Sequence, residues 1–150
     1  MSTPFESAQL IVKLFELRRD PVMREARNWF VREFNPDTFA DVQAALAGPH
    51  NPHLRMVAGY WDMACSFVVH GAIDRQMFID ANPEVFATFA KVHPLLAEIR
   101  AMAPQPGFAK NIEQVVMAEP GVEERLEKLR QRFKAMAAAT PIAPVIATRT

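Results

Sequence analysis

Apolar residues recur along this chain every three or four positions, and Asx-Pro dipeptides cut the recurrence into segments of helical length. In the first segment Phe5, Ala8, Ile11, Val12 and Phe15 share one side, with Leu10, Leu14 and Leu17 beside them, predicting a helix over 4–18. Val22, Met23, Ala26, Phe30 and Phe34 predict a second over 21–34. A short third, 37–47, stops at Gly48-Pro49, and a fourth, 52–70, ends at Gly71, a residue suited to a left-handed C-terminal cap. A short helix over 74–80 opens at Asp74. From Pro83 onward Val85, Phe89, Val92, Leu96 and Ile99 keep one stripe. Pro94 lies inside it and predicts a kink or break, because it lacks a backbone N–H and disfavours helix at His93. Helices over 108–118 and 120–138 complete the pattern, and no stretch reads as a β-strand.

The punctuation supports the same boundaries. Asp20-Pro21, Asn35-Pro36, Asn51-Pro52 and Asn82-Pro83 each place a capping residue before a proline. An Asx oxygen can accept from a first-turn N–H, and proline at the first helical position lacks a donor that would be orphaned anyway. Thr3-Pro4 opens the chain in this way, with Glu6 completing a capping box, and Glu119-Pro120 is a weaker sixth case. The expected fold is all-α: a single-domain multi-helix bundle of about seven helices with short antiparallel connections. Two apolar helices, 52–70 and the one from 83, belong at its centre. Residues 1–139 form the domain, Pro104-Gln105-Pro106-Gly107 a loop, and 140–150 a flexible or extended tail.

Composition narrows the function classes. At 150 residues, half of them hydrophobic and 23% charged, the chain can bury a core without disulfides or a metal staple. Seventeen basic and seventeen acidic residues balance, so no broad electropositive surface for nucleic acid or anionic lipid is expected. The start lacks a basic region followed by an apolar one, and the most apolar run, Met56 to Ile73, is interrupted by Asp62 and His70. The expected location is therefore the cytoplasm, without membrane association. Cys65, the single cysteine, sits in an apolar run and reads as a buried thiol.

Candidate chemistry concentrates on the fourth helix, where Arg55, Asp62, Ser66 and His70 fall on one narrow stripe with Gly59 between them. The stripe has two readings. It is either a carboxylate and an imidazole facing a pocket, or an edge that meets solvent and neighbouring chain ends. His50 and His53 straddle a proline at a helix start, and no Glu-x-x-His or paired cysteine supplies metal-ligand spacing, so no metal or other cofactor is expected. Cys65 lacks a base on its own face, and the five glycines never cluster into a phosphate-binding loop. Arg18, Arg19, Arg24, Arg27 and Arg32 crowd near Trp29 but interleave with Asp20, Glu25 and Glu33, the mixture of a solvated face rather than a nucleic-acid site. On the last helix Val122, Leu126, Leu129, Phe133 and Met136 alternate by four and three, a seam that docks on the chain's own core or pairs with a second copy.

The runs YWDMACSFVVHGAIDRQMF and NPEVFATFAKVHPLLAEIR, over residues 60–100, resemble an uncharacterised bacterial all-helical family known only as a domain of unknown function. The matching residues are Asp62, Gly71, Asp74, Phe78 and Arg100, which are mostly cap and core positions. The resemblance implies a helical fold and lends no activity. Many relatives carry a membrane helix before the domain, whereas this sequence opens on a capped amphipathic helix. Three functional expectations remain. The first is a non-enzymatic, self-associating interaction module. The second is a small-molecule-binding bundle with a phenylalanine-lined pocket, drawn from 11 phenylalanines. The third is an enzyme using Asp62 and His70.

Overall fold

Residues 1–102 and 107–139 are described by the computed structural model, and every regular element among them is helical. The chain runs α1 (Pro4–Arg18), α2 (Pro21–Arg32), α3 (Phe39–Ala47), α4 (Asn51–Val69), α5 (Arg75–Ala81) and α6 (Glu84–Val92). A 3-10 turn (His93–Leu95) leads into α7 (Leu96–Met102), followed by α8 (Lys110–Val116) and α9 (Val122–Ala139). Pro94 sits in that turn and interrupts the rod as its missing N–H requires. Of the loop expected at 104–107, Gly107 is described and lies in no helix; 104–106 and the tail at 140–150 lie outside the described residues.

The core centres on α6, whose Val85, Phe86, Phe89, Ala90 and Val92 are buried together with Thr88 and Lys91. Helix α4 buries Leu54, Val57, Trp61, Ala64, Cys65 and Val68 and packs against α2 and α8. It is not buried all round, however: Arg55, Met56, Gly59 and Met63 on its other side are exposed. Glu84 at the start of α6 joins three helices, accepting from Arg27 Nε of α2 at 2.8 Å, from Arg27 Nη2, and lying 3.7 Å from Arg18 Nη1 of α1.

The cap residues divide by chemistry. Asp20 Oδ1 accepts from the backbone N–H of Val22 (2.9 Å) and Met23 (3.3 Å), and Thr3 with Glu6 closes a capping box. The three asparagines do not act as N-caps. Asn51 Nδ2 donates back to Leu46 O at the end of α3 (2.6 Å), and Asn82 Nδ2 donates to Phe78 O in α5 (2.9 Å). An amide carries donors that a carboxylate lacks, so it can satisfy the orphan carbonyls of the preceding helix instead. After Asn35-Pro36 the helix begins late, at Phe39, where Asp41 Oδ2 accepts from the backbone N–H of Asp37 and Thr38, both at 2.9 Å. At the end of α4, Gly71 adopts φ +77° and Ala72 N donates to Phe67 O at 2.8 Å, closing the helix with a left-handed residue.

The C-terminus of α2 is closed from 60 residues away. Lys91 of α6 is 4% exposed and forms no ion pair among the described residues. Its ammonium donates to the carbonyls of Phe30, Val31 and Phe34, all at 2.8 Å, and to Asn35 Oδ1 at 3.0 Å. Burial pulls its pKa from 10.5 to about 7, while the four oxygens and the negative end of the α2 dipole act to hold the proton. Replacing it by Met keeps the stem and leaves these buried carbonyls unpaired. Lys91→Met is expected to lower stability by about 2–4 kcal/mol, read as a shift of the urea midpoint at unchanged m-value.

Candidate functional site

Helix α8 begins without a capping side chain of its own. Its preceding residue, Ala109, is held at φ +56°, a left-handed conformation that costs an L-residue roughly 1–2 kcal/mol. The missing acceptor comes from α4. Asp62 Oδ1 accepts from the backbone N–H of Asn111 (2.9 Å) and Ile112 (3.1 Å), and Oδ2 from Asn111 Nδ2 (2.9 Å). Arg100 of α7 braces the same turn, with Nε donating to Phe108 O at 3.0 Å and Nη2 paired with Glu113. The segment 107–112 is thus fixed by a carboxylate on one side and a guanidinium on the other.

This arrangement leaves a cavity of about 400 Å³ beside α4. Phe34, Val42, Leu46, Leu54, Val92, Ile99, Met102 and Phe108 make its wall apolar, with Arg55, Gly59 and Asp62 presented from one face of α4. The volume lies in the range of small-molecule sites. Gly59 sits in the middle of a 19-residue helix, where glycine costs about 1 kcal/mol relative to alanine. A Cβ built there meets no atom within 4 Å, so close packing does not require the glycine. Gly59 is exposed and lines the cavity, with open space where a side chain would stand. Arg55 is exposed and has no hydrogen-bond or ion-pair partner among the described residues.

The structure brings together two of the four stripe residues. Arg55 and Asp62 line the cavity, whereas Ser66 Oγ donates to Met63 O of its own helix at 2.6 Å. His70 is exposed at the C-cap of α4 and does not line the cavity. Eight residues separate it from Asp62, about 12 Å along a helix axis, so a shared face does not bring the carboxylate and the imidazole together. The α9 seam is largely consumed within the chain. Val122 and Leu126 are buried, Leu129 packs against the core, and the Phe133 ring lies 4.5 Å from Lys91 Nζ; Met136 is 51% exposed. α9 docks on α6 and α2, which use up its apolar face.

His50 and His53 come closer than a proline between them suggests. Their Nδ1 atoms are 3.3 Å apart, with the His50 ring stacked on Trp29 at 4.9 Å. Among the described residues no third histidine, cysteine or carboxylate joins them or forms a metal-holding cluster elsewhere. Burial lifts the Cys65 thiol to about 12, and it stays protonated near neutral pH. No helix among the described residues is long and apolar enough to cross a membrane.

Removing the Asp62 acceptors strands two first-turn N–H groups. Asp62→Ala is expected to cost about 1–3 kcal/mol and to speed hydrogen exchange at amides 111 and 112. Asp62→Asn, which keeps one acceptor, should fall between it and the wild type. Unchanged exchange in Asp62→Ala would show that α8 is held by packing alone.

The five residues behind the family resemblance have visible tasks. Asp62 caps α8, Gly71 closes α4, Asp74 Oδ1 accepts from Met77 N to start α5, Phe78 is fully buried, and Arg100 braces the 107–109 turn. No curated protein and no solved structure matches the chain. Residues 4–118, from α1 through α8, match the family described as Domain of unknown function (DUF4760), with α9 beyond the match, and the chain belongs to that family.

Proposed function

We propose that this domain is a non-enzymatic binding module that holds one small apolar molecule in the cavity beside α4. Gly59 is the observation that carries the reading. A glycine in mid-helix, costly to the helix and free of any packing need, is accounted for by the space it leaves open. Phe34 and Phe108 line that space, which agrees with a phenylalanine-lined pocket, and Ala109 holds its strained backbone at the same rim. A catalytic reading has less support. Both oxygens of Asp62 are engaged by N–H donors, and the His70 imidazole lies outside the cavity.

The test uses N-phenyl-1-naphthylamine, a neutral apolar fluorophore whose emission rises out of water. The wild type is expected to give a saturable one-site enhancement. Gly59→Leu should abolish it while melting cooperatively at or above the wild-type midpoint, because leucine favours the helix and fills the space. Absence of saturable binding to the wild type, or undiminished binding to Gly59→Leu, would end the proposal.

A second reading, self-association, draws on α1 rather than on α9. Phe5 (71% exposed), Val12 (56%) and Phe15 (50%) lie with Ala8 at the three-four spacing of a helix seam, facing away from the core that Ser7 and Leu14 enter. About a two-fold axis near Leu10, Phe5 would meet Phe15 of a second copy and Ala8 would meet Val12. Sedimentation equilibrium is expected to show a dimer that Val12→Glu converts to monomer. A wild type that stays monomeric at millimolar concentration would exclude it.

A further inference from the structure

We infer that the cavity's occupant is a single-chain amphiphile bearing one anionic head, of the class of a medium-chain carboxylate, with its chain inside and its head at Arg55. The inference rests on the pocket reading above and adds the chemical class of the ligand.

Volume limits the chain. At about 30 Å³ per water-sized or methylene-sized group, a cavity of about 400 Å³ takes roughly a dozen non-hydrogen atoms, the size of decanoate. A single medium-chain tail matches that space, and both tails of a diacyl lipid exceed it, so the proposal is a monoacyl chain. The lining agrees, since Val42, Leu46, Leu54 and Ile99 present side chains that offer no hydrogen bond.

Charge decides the head group. Two charged side chains line the cavity, and their positions in the hydrogen-bond network differ. Asp62 keeps its charge, but three of its roughly four acceptor sites are taken by N–H donors of α8, which leaves it little capacity for a hydroxylic or cationic ligand. Those donors include the first-turn amides of α8, so the helix start is occupied and offers nothing to a ligand anion. Arg55 is exposed at the rim, carries five donors and spends none of them within the described chain. A planar guanidinium above an apolar well matches a carboxylate in two parallel hydrogen bonds, with the alkyl part of the arginine lying along the acyl chain. A neutral alcohol or amide of the same length would gain the burial without the charge-assisted pair. A cationic amphiphile would meet Arg55 with like charge.

The experiment displaces N-phenyl-1-naphthylamine with decanoate, 1-decanol and decyltrimethylammonium, each below its aggregation threshold. In the wild type decanoate is expected to compete at about tenfold lower concentration than decanol, with the cation weakest, and added salt should narrow the gap. Arg55→Gln, which also shortens the alkyl stem, should erase the preference for decanoate over decanol whatever it does to the affinity for both. The Arg55 side chain has no hydrogen-bond or ion-pair partner to lose among the described residues, so the variant is expected to keep the wild-type melting temperature. If decanol competes as well as decanoate, or if Arg55→Gln preserves the ratio, the anionic assignment fails while the pocket reading stands. If neither the fluorophore nor decanol binds the wild type, both fail together.

Discussion

The first turn of α8 needs an acceptor that its own sequence does not provide, and Asp62 supplies it from the middle of α4. Much of the arrangement around the site depends on that contact. It ties α4 to the segment 107–112, it holds Ala109 in a conformation the residue would otherwise avoid, and it sets one wall of the cavity. Arg100 completes the restraint by engaging Phe108 O and Glu113. A carboxylate that reads as catalytic in isolation is thus a tertiary helix cap.

The same solution recurs at other helix ends. Lys91 closes α2, Tyr60 OH donates to Leu14 O near the end of α1, and Arg75 Nη2 donates to Val115 O near the end of α8. Cationic or hydroxyl donors at C-termini and a carboxylate at an N-terminus follow the sign of the helix dipole. Several of these groups are partly or fully buried, where an unpaired carbonyl is costly, so each link restrains the angle between two helices as well as satisfying an atom. The cavity lies inside a fold braced in this way, with a mostly apolar lining whose Asp62 is already hydrogen-bonded to α8 and with no side chain at Gly59 to fill it.

Much of the fold was legible because its information is local. Apolar spacing, prolines and Asp or Thr caps located the helices to within two residues at most ends, and Pro94 interrupted its stripe as its chemistry demands. The asparagines misled about where helices are capped, since an amide can donate backward as well as accept forward. The start of α8 was placed two residues early, because Ala109 carries no sequence mark of a left-handed residue. In the candidate site, Arg55, Gly59 and Asp62 were visible on one face of a helix, but the fate of each was not. Helical periodicity gives angular position and says nothing of distance to other elements, which is why His70 shared the stripe and not the cavity.

The sequence by itself determined the all-helical class, the order of the elements and the faces that each helix could bury, because these follow from backbone propensity, capping and periodicity within a few residues. Only the tertiary structure decided what those faces meet. Among the described residues it spent most of the α9 seam on the core, left the outer side of α1 exposed, gave Asp62 to an amide pair 49 residues away, and left the Arg55 side chain without a partner beside an apolar cavity. Such outcomes depend on which distant groups packing brings within hydrogen-bond reach, a quantity that no local pattern encodes.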